Sequence, residues 1–342
     1  MSKKNSIVLK HKDCLSNSEQ LSEIYSDFTK KILKLKSKKF LVAVSGGPDS
    51  LALAAMCRVM HLNHKKIKFF YIHINHGIRK KSLSESKKVK KILKKQNILL
   101  KVINNKKKII NNIQHNARKV RYSLLNKECK KRKIKFILTG HHKDDQIETF
   151  LIRLSRGSGV QGLSAMSALS YYDNKIKIFR PFLSESKKNL IFISKKLFVT
   201  FIKDPSNSNK KFLRSNIRKL LPILSRHGIG SDQILKSINN LKSSNKTLNF
   251  YFQELLKKIV KRKGKEIHIK KNDLFSLNEE LQLRVLGFVI RSLNKSDYPP
   301  RSKKIFTALK YLNSSREIKH QLGGCLLINR DKYIYVEKSL KL

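Results

Sequence analysis

The chain has 342 residues, of which 77 are Lys or Arg and only 23 are Asp or Glu, so its formal net charge is +54. Its length is enough for about two domains, and its 40% hydrophobic content can form their cores. The four cysteines are widely spaced without a Cys-x-x-Cys pair, which argues against a zinc or iron–sulfur site and suits a reducing compartment.

The charge excess predicts a polyanionic partner, and nucleic acid is the first candidate. Compositional drift toward Lys, Ile and Asn is the alternative source of the lysines, and both causes can operate together. No apolar segment follows the N-terminal Met-Ser-Lys-Lys-Asn-Ser, and no apolar run approaches the ~20 residues that span a bilayer. We therefore expect no signal peptide and a soluble, cytoplasmic protein without membrane contact.

Strand-like and helix-like segments alternate along the first part of the chain. Apolar, β-branched runs predict strands at 40–44, 68–75, 98–103 and 134–139. Helical periodicity predicts helices at 18–35, 51–60, 82–95 and 111–130. This alternation predicts an α/β fold with a parallel sheet, in which ligands bind at the carboxyl ends of the strands.

The first strand runs into Ser45-Gly-Gly-Pro-Asp-Ser50, and a helix follows. A strand, a glycine turn and a helix N-terminus together present backbone N–H groups to an anion such as phosphate. The string lacks the terminal Gly-Lys-Ser/Thr of a Walker A loop, and an ordinary βα turn with a serine cap is the alternative. The predicted phosphate-binding residues are Ser45, Gly46, Gly47, Pro48, Asp49 and Ser50.

Two further strand ends carry side chains suited to chemistry. His73-Ile-Asn-His-Gly-Ile-Arg79 ends the second strand, where a satisfied core histidine is the alternative. Gly140-His-His-Lys-Asp-Asp-Gln-Ile-Glu-Thr149 follows the fourth strand, and we expect His141, Asp145 and Glu148 to share one helix face. Carboxylates in a first helical turn can instead only complement the helix dipole. The cluster predicts metal ligands and a negatively charged pocket for a cationic substrate.

Basic residues accompany these strand ends. Arg118 and Arg121 are three residues apart on a predicted helix and share a face, for which a solvated surface is the default alternative. A glycine-rich loop follows Arg156, and a short strand ends at Arg180-Pro181. We place a domain boundary between residues 225 and 226.

Residues 226–342 are predicted to form a smaller, mainly helical domain. Helices are expected at 234–262, 278–293 and 303–312, and a hairpin at 328–335. This part carries no catalytic constellation. Its lysines and the aromatic run at 250–252 suit binding to a phosphate backbone, or else form a solvated exterior over an aromatic core contact.

Together these blocks resemble the tRNA(Ile)-lysidine synthases, a family of PP-loop ATP pyrophosphatases in which the string at 45–50 corresponds to the PP-loop. The likeness runs from about residue 39 to residue 222. Its other blocks are His73-x-Asn-His-Gly-Ile-Arg79, Ala117-Arg-x-x-Arg-Tyr122, Gly140 to Thr149, Arg156-Gly-Ser-Gly159, Arg180-Pro181 and Asp204-Pro-Ser-Asn207. A weaker likeness, to the family's substrate-binding domain, continues from Gln282-Leu-Arg284 to the final hairpin.

The resemblance implies a Rossmann-like PP-loop domain over 1–225, followed by a tRNA- and substrate-binding domain over 226–342. It implies an ATP-dependent ligase whose partners are Mg²⁺, L-lysine and a tRNA(Ile) with anticodon CAU. The 2-carbonyl oxygen of the first anticodon cytidine attacks the α-phosphate of ATP, and pyrophosphate leaves. The ε-amine of lysine then displaces AMP, which gives lysidine. The oligomeric state is open, with a homodimer as one alternative.

The resemblance also implies roles for individual residues. The implied catalytic residues are Asp49, His141, Asp145 and Glu148. The residues at 45–50 would bind ATP, and the implied Mg²⁺ ligands are Asp49 and Asp145. The implied lysine-binding residues are Asp145, Glu148 and Arg121. The implied contacts to tRNA or other phosphates are Arg118, Arg156, Arg214 and Arg218.

Three other classes of protein share parts of this pattern. A PP-loop enzyme that thiolates tRNA needs a reactive cysteine or a cluster, and the cysteines lie away from every motif. A PP-loop amidotransferase needs a glutaminase domain, for which the first 39 residues leave no room. A non-catalytic basic RNA-binding protein with an inactive PP-loop would not need the acids Asp49, Asp145 and Glu148.

Overall fold

The computed structural model describes residues 18–79, 81–107, 109–110, 112–172, 175–198, 200–202, 213–294, 299–314 and 316–339. Cys14 and the block at 204–207 lie outside the described residues. The chain divides into two compact units, Met1–Lys242 and Ser243–Leu342. No helix in the described ranges is long and apolar enough to cross a membrane.

A six-stranded sheet with strand order β3-β2-β1-β4-β6-β5 forms the centre of the first unit. Its strands are β1 (Lys39–Ala43), β2 (Lys68–Asn75), β3 (Leu100–Asn104), β4 (Phe136–Leu138), β5 (Leu169–Tyr171) and β6 (Lys177–Phe179). All neighbouring pairs are parallel except β5 and β6, which pair antiparallel at one edge. The predicted parallel α/β fold is therefore confirmed.

Helices connect and cover these strands. They are α1 (Glu19–Leu33), α2 (Pro48–Asn63), α3 (Ser82–Lys94), α4 (Ile113–Arg132), α5 (Lys143–Leu154), α6 (Val160–Leu163), α7 (Lys187–Phe198), α8 (Leu213–Arg226) and α9 (Ser231–Ile259). The division between the two units falls within α9. Ile234 and Ile238 of α9 pack against Ile147 of α5, which explains why the first unit extends beyond the predicted boundary at 225.

Two apolar cores lie on the two faces of this sheet. Phe40 and Val42 of β1 pack with α1, α2 and α7 in one core, while Leu41 packs with β2, β4 and α4 in the other. Because both faces are covered, the strand is a continuous apolar run rather than an alternating one. Helix α1 is amphipathic, and the buried residues of its predicted apolar face are Leu21, Ile24, Phe28 and Ile32.

The strand order reverses between β1 and β4, which lie side by side at the centre of the sheet. From β1 the chain proceeds outward through β2 and β3, whereas β4 leads to β6 on the opposite side. In open α/β sheets this reversal leaves a crevice at the carboxyl ends of the two strands, where ligands bind. The PP-loop follows β1, and the segment beginning at Thr139 follows β4.

The second unit contains a five-stranded antiparallel sheet in the order β7-β8-β11-β10-β9. Its strands are β7 (Val260–Lys263), β8 (Glu266–Lys270), β9 (Ile318–Leu322), β10 (Cys325–Arg330) and β11 (Tyr333–Lys338). Its helices after α9 are α10 (Lys271–Phe275), α11 (Glu279–Asn294) and α12 (Ser302–Leu312). The predicted hairpin is confirmed as β10 and β11, whereas β7, β8 and β9 were not predicted.

The centre of the first sheet allows a direct test of the core. Phe40 has no exposed surface, and its ring lies 5.6 Å from Phe69 and 5.8 Å from Phe136 between centroids. We expect Phe40→Ala to lower the free energy of unfolding by about 3–5 kcal/mol, because transfer and cavity costs add. Leu99→Ala is the matched control, since Leu99 is 87% exposed and its loss should cost less than about 0.5 kcal/mol. Equal denaturant midpoints for the two variants would contradict this assignment of the core.

Candidate active site

The PP-loop is held together by the hydroxyl group of Ser50. The backbone N–H groups of Ser45 and Gly46 each donate to Oγ of Ser50 at 3.1 Å, and Ser50 Oγ–H donates to the Gly47 carbonyl at 3.0 Å. Gly46 has φ +96°, a conformation that favours glycine. Pro48 begins α2, so the N-terminus of this helix points into the crevice with its partial positive charge.

A close backbone contact joins the PP-loop to the segment after β4. A β-carbon added at Gly140 would lie 2.6 Å from the carbonyl oxygen of Asp49 and 3.2 Å from the backbone nitrogen of Ser50. Real β-carbons essentially never approach backbone atoms so closely, so only glycine fits here. This contact places the start of α5 beside the start of α2.

His142 lies at the centre of an acidic cluster formed where these two helices start. Its Nε2 atom is 3.5 Å from a carboxylate oxygen of Asp145 and 3.6 Å from one of Asp49, and its Nδ1 atom is 3.7 Å from one of Asp144. Burial alone would lower the pKa of His142, but the three carboxylates outweigh it and raise that pKa to about 10. His142 is therefore a cation at neutral pH, and it lowers the pKa of Asp144 in turn.

Glu148 is turned toward α8 and pairs with arginines there. Its side chain is 2% exposed, and its carboxylate accepts from Nε of Arg218 at 2.5 Å and from Nη2 at 3.4 Å. Nε of Arg214 lies 4.0 Å from the same carboxylate. Two residues predicted to bind phosphate therefore contact an acid that was predicted to bind lysine, a pairing that sequence spacing did not indicate.

Cationic side chains gather around two histidines, His141 and His76, whose pKa values are lowered. Burial first, and then the charges of Arg180, Arg118, Arg214 and Arg121, hold the pKa of His141 well below its ordinary value. Burial and the Arg121 guanidinium, whose Nε lies 3.4 Å from the ring, lower the pKa of His76 to about 4. An arginine-rich surface beside neutral imidazoles suits an anion such as a phosphate.

The structure does not bring every predicted site residue onto one helix face. Helix α5 begins at Lys143, so His141 precedes the helix. The prediction that His141 shares a helix face with Asp145 and Glu148 is therefore wrong. Oγ1 of Thr139 instead contacts Nδ1 of His141 at 2.8 Å. Arg156 lies on the exposed loop after α5.

Several supporting residues were missed by sequence reasoning. Gln146 is buried and exchanges two hydrogen bonds with the backbone of Met166, at 2.8 Å and 2.7 Å. Arg153 donates to the carbonyls of Gly162 and Ala165, at 2.6 Å and 2.9 Å, and so fixes the loop that follows α5. Arg180 is 5% exposed and donates to the Ser167 carbonyl at 2.8 Å. Arg180 stood in a resemblance block, but a single Arg-Pro pair gave no indication of its burial.

The carboxylates of Asp49 and Asp145 are suited to a hard cation such as Mg²⁺. Oδ1 of Asp49 is buried and accepts no hydrogen bond from any described residue. Within the described ranges, no group of three or more His, Cys, Asp or Glu side chains could hold a metal ion. Magnesium needs no such group, because it is often held by one or two carboxylates together with substrate phosphates and water. The donor set therefore fits Mg²⁺ brought in with a nucleotide.

The pair of Glu148 and Arg218 gives a test of this geometry. We expect Arg218→Ala to lower the free energy of unfolding by about 3 kcal/mol, because it leaves a buried carboxylate without its partner. Arg214→Ala is the matched control and should cost less than about 1 kcal/mol, since its contact is longer and more exposed. Adding Glu148→Gln to Arg218→Ala should recover much of the loss in denaturant melts. Strictly additive effects of the two changes would contradict the pairing.

Comparison with known proteins identifies relatives of this chain. The family described as the PP-loop domain matches residues 17–224. The tRNA(Ile)-lysidine synthase of Wolbachia pipientis wMel is 35% identical over 290 residues, which cover 83% of this chain and 67% of that protein. The tRNA(Ile)-lysidine synthase of Orientia tsutsugamushi (strain Boryong) is 40% identical over 190 residues, which cover 54% of this chain and 42% of that protein.

The fold also occurs among solved structures. The U34-tRNA thiolase NcsA from Methanococcus maripaludis, solved with its [4Fe-4S] cluster, superposes with a TM-score of 0.53 at 20% identity. The match covers 65% of this chain and 79% of that chain, and at this identity it supports the fold alone. The PP-loop match and the extent of identity to the Wolbachia protein show that the chain belongs to the tRNA(Ile)-lysidine synthase family of PP-loop proteins.

Proposed function

We propose that the chain ligates L-lysine to the 2-position of the cytidine at the first anticodon position of a tRNA(Ile) with anticodon CAU. It does so in the cytoplasm, through an adenylated tRNA formed with ATP. The observation that carries this proposal is the junction at which the PP-loop meets the acidic start of α5, together with the arginines around His141. Such a crevice has an anionic part for an ammonium group and a cationic part for phosphates and a carboxylate.

The PP-loop and the start of α2 bind the phosphates of ATP. The helix N-terminus supplies a partial positive charge, and the left-handed conformation at Gly46 lets the loop turn sharply at that point. Asp49 would hold Mg²⁺, which neutralises phosphate charge and so favours departure of pyrophosphate. Arg118 and Arg214 bind phosphate oxygens of the nucleotide or of the tRNA.

Lysine binds between the two charged parts of the crevice. Asp145 accepts the ammonium group, because it is the most enclosed carboxylate of the acidic cluster, with 13% of its side chain exposed against 32% for Asp49 and 43% for Asp144. Arg121 is exposed and binds the carboxylate of the amino acid. Glu148 already has a cationic partner in Arg218, so a lysine ammonium can reach Glu148 only by displacing that guanidinium.

The protein accelerates the reaction mainly by position and charge. Adenylation converts the cytidine 2-oxygen from a poor leaving group into part of AMP, which departs when the lysine ε-amine attacks C2. Holding the amine near that carbon replaces a bimolecular encounter with an oriented one. Fixed arginines and helix dipoles stabilise the charge that develops on the phosphate oxygens.

Thiolation is the second candidate, since a thiolase shares the fold. Sulfur transfer depends on a reactive thiolate or a metal cluster. The three cysteines of the described ranges, Cys57, Cys129 and Cys325, are fully buried. Burial raises the pKa of the Cys57 thiol well above its ordinary value and raises that of Cys325 as well. These three cysteines therefore favour lysine ligation over thiolation.

Asp49 provides the first test of the proposed function. We expect Asp49→Asn to remove ATP- and tRNA-dependent pyrophosphate release, because the variant loses a carboxylate beside the phosphates but keeps the side-chain shape. Asp27→Asn is the matched control, since Asp27 is half exposed on α1 and forms an exposed ion pair with Lys31. Its pyrophosphate release should equal that of the wild type. Near-normal turnover of Asp49→Asn would show that the Asp49 carboxylate is not needed for pyrophosphate release and would contradict its place in the site.

Asp145 provides the second test, which separates lysine binding from adenylation. We expect Asp145→Asn to raise the lysine concentration needed for half-maximal lysidine yield by roughly 10- to 100-fold, the worth of a hydrogen bond to a charged group. AMP-linked tRNA should still form without lysine. Asp144→Asn should change the lysine requirement less, since Asp144 contacts the opposite nitrogen of His142. If Asp145→Asn abolishes adenylation and added Mg²⁺ restores it, Asp145 serves the metal rather than the lysine.

A further inference from the structure

The sheet of the second unit has an apolar inner face and a different outer face. Side chains of the inner face, such as Ile267, Ile269, Leu327 and Val336, are buried in one core with those of α11 and α12. Side chains alternate between the two faces of a strand, so the intervening residues point outward. They are partly or fully exposed, as expected for a face without a second apolar layer.

The register aligns one row of outward side chains across all five strands. Lys261 pairs with His268, His268 with Tyr335, Tyr335 with Ile328, and Ile328 with Lys319. Tyr333 follows on the same face, two residues before Tyr335. We call these six residues the outer sheet face. Aromatic rings occupy its centre, and lysines occupy both ends of the row.

The aromatic rings of this face touch one another and remain partly exposed. The rings of His268 and Tyr335 lie 4.5 Å apart between centroids at 67°, and Tyr333 lies 6.2 Å from Tyr335. Nε2 of His268 lies 3.2 Å from Glu266. Because these three rings lie on the exposed side of the sheet, the apolar core beneath them buries little of their surface. Their exposed surface is therefore available to contact a ligand.

The charge around the rings is mainly positive. Lys261 and Lys319 make no ion pair with a residue in the described ranges. Lys270 lies 3.4 Å from Asp273 and Arg330 lies 3.8 Å from Asp331, both in exposed pairs of little strength. Glu266 and Glu337 lie on the same face, two residues from His268 and Tyr335. The cations named here outnumber these two acids, so the charge favours an anionic partner.

We propose that the outer sheet face binds a single-stranded segment of the tRNA. Tyr335, Tyr333 and His268 stack against its unpaired bases, while Lys261 and Lys319 contact the flanking phosphates. Aromatic side chains on an open sheet are a common means of holding unstacked RNA bases. The identity of the RNA rests on the proposed function, whereas the stacking surface rests on the geometry of this sheet.

Equilibrium binding of the full chain to tRNA(Ile), measured at several salt concentrations, tests the proposal. We expect Tyr335→Leu to weaken binding by roughly 5- to 150-fold, as for the loss of one base stack. The double variant Tyr333→Leu/Tyr335→Leu should bind more weakly still. Tyr335→Phe should retain wild-type affinity, because it keeps the ring. Tyr311→Leu is the matched control on α12 and should remain within about twofold of the wild type.

Salt dependence separates stacking from phosphate contact. Tyr335→Leu should leave the slope of log affinity against log salt unchanged, whereas Lys261→Gln and Lys319→Gln should each reduce it by about 1. Thermal melts of each variant check that the fold is kept. Tyrosine variants that bind tRNA within twofold of the wild type would overturn the proposal. The proposal would also be overturned if these variants lost self-association of the chain but kept tRNA binding.

The two proposals fail in distinguishable ways. If the wild-type chain binds tRNA through the outer sheet face but forms no lysidine, the proposed function is wrong and the surface stands. If Tyr333→Leu/Tyr335→Leu makes lysidine with an unchanged KM for tRNA, the surface is wrong and the proposed function stands.

Discussion

At the carboxyl edge of the first sheet, the backbone at Gly140 passes so close to that of Asp49 that a β-carbon would lie 2.6 Å from the Asp49 carbonyl oxygen. The approach is possible because β1 and β4 are neighbours in the sheet, although their paired residues, such as Phe40 and Phe136, are 96 positions apart along the chain. It brings two helix N-termini to one crevice. The phosphate loop and the acidic cluster are therefore parts of a single site.

Different helices and strands carry the negative and the positive charges of this crevice. The starts of α2 and α5 contribute Asp49, Asp144 and Asp145, which surround the cation of His142. Burial first, and then arginines from helix α4 and the end of β6, hold the pKa of His141 below its ordinary value. Because the two histidines are adjacent in sequence but face opposite charges, their pKa values shift in opposite directions. A substrate with both ammonium and carboxylate groups matches this separation.

Much of the first unit could be predicted from local patterns. The apolar runs and helical periodicity gave β1, β2 and α1 to within a few residues, because burial on both faces or on one face leaves a clear periodicity. The outward-facing Lys261, His268 and Lys319 weakened the apolar signal of β7, β8 and β9, which were therefore missed. Only one face of this sheet is buried, so polar residues alternate with the apolar ones along these strands.

The residues of the site could be predicted from the sequence, but the contacts between them could not. The motifs contained Asp49, Asp145 and Glu148, and strand order alone would place them at one edge. The contact between Glu148 and Arg218 joins residues 70 positions apart, so it depends on how α8 packs against α5. The start of α5 at Lys143 was missed because His141 and His142 are compatible with either a helix or its approach.

Nucleoside analysis of the tRNA product tests the central claim most directly. The full chain is incubated with ATP, isotope-labelled lysine and a tRNA(Ile) transcript with anticodon CAU, and the tRNA is digested and analysed by mass spectrometry. The account predicts a labelled cytidine derivative with the mass of lysidine, formed only when ATP and lysine are both present, and none on a transcript whose first anticodon base is uridine. A sulfur-containing nucleoside, or unmodified cytidine despite tRNA binding and pyrophosphate release, would contradict it.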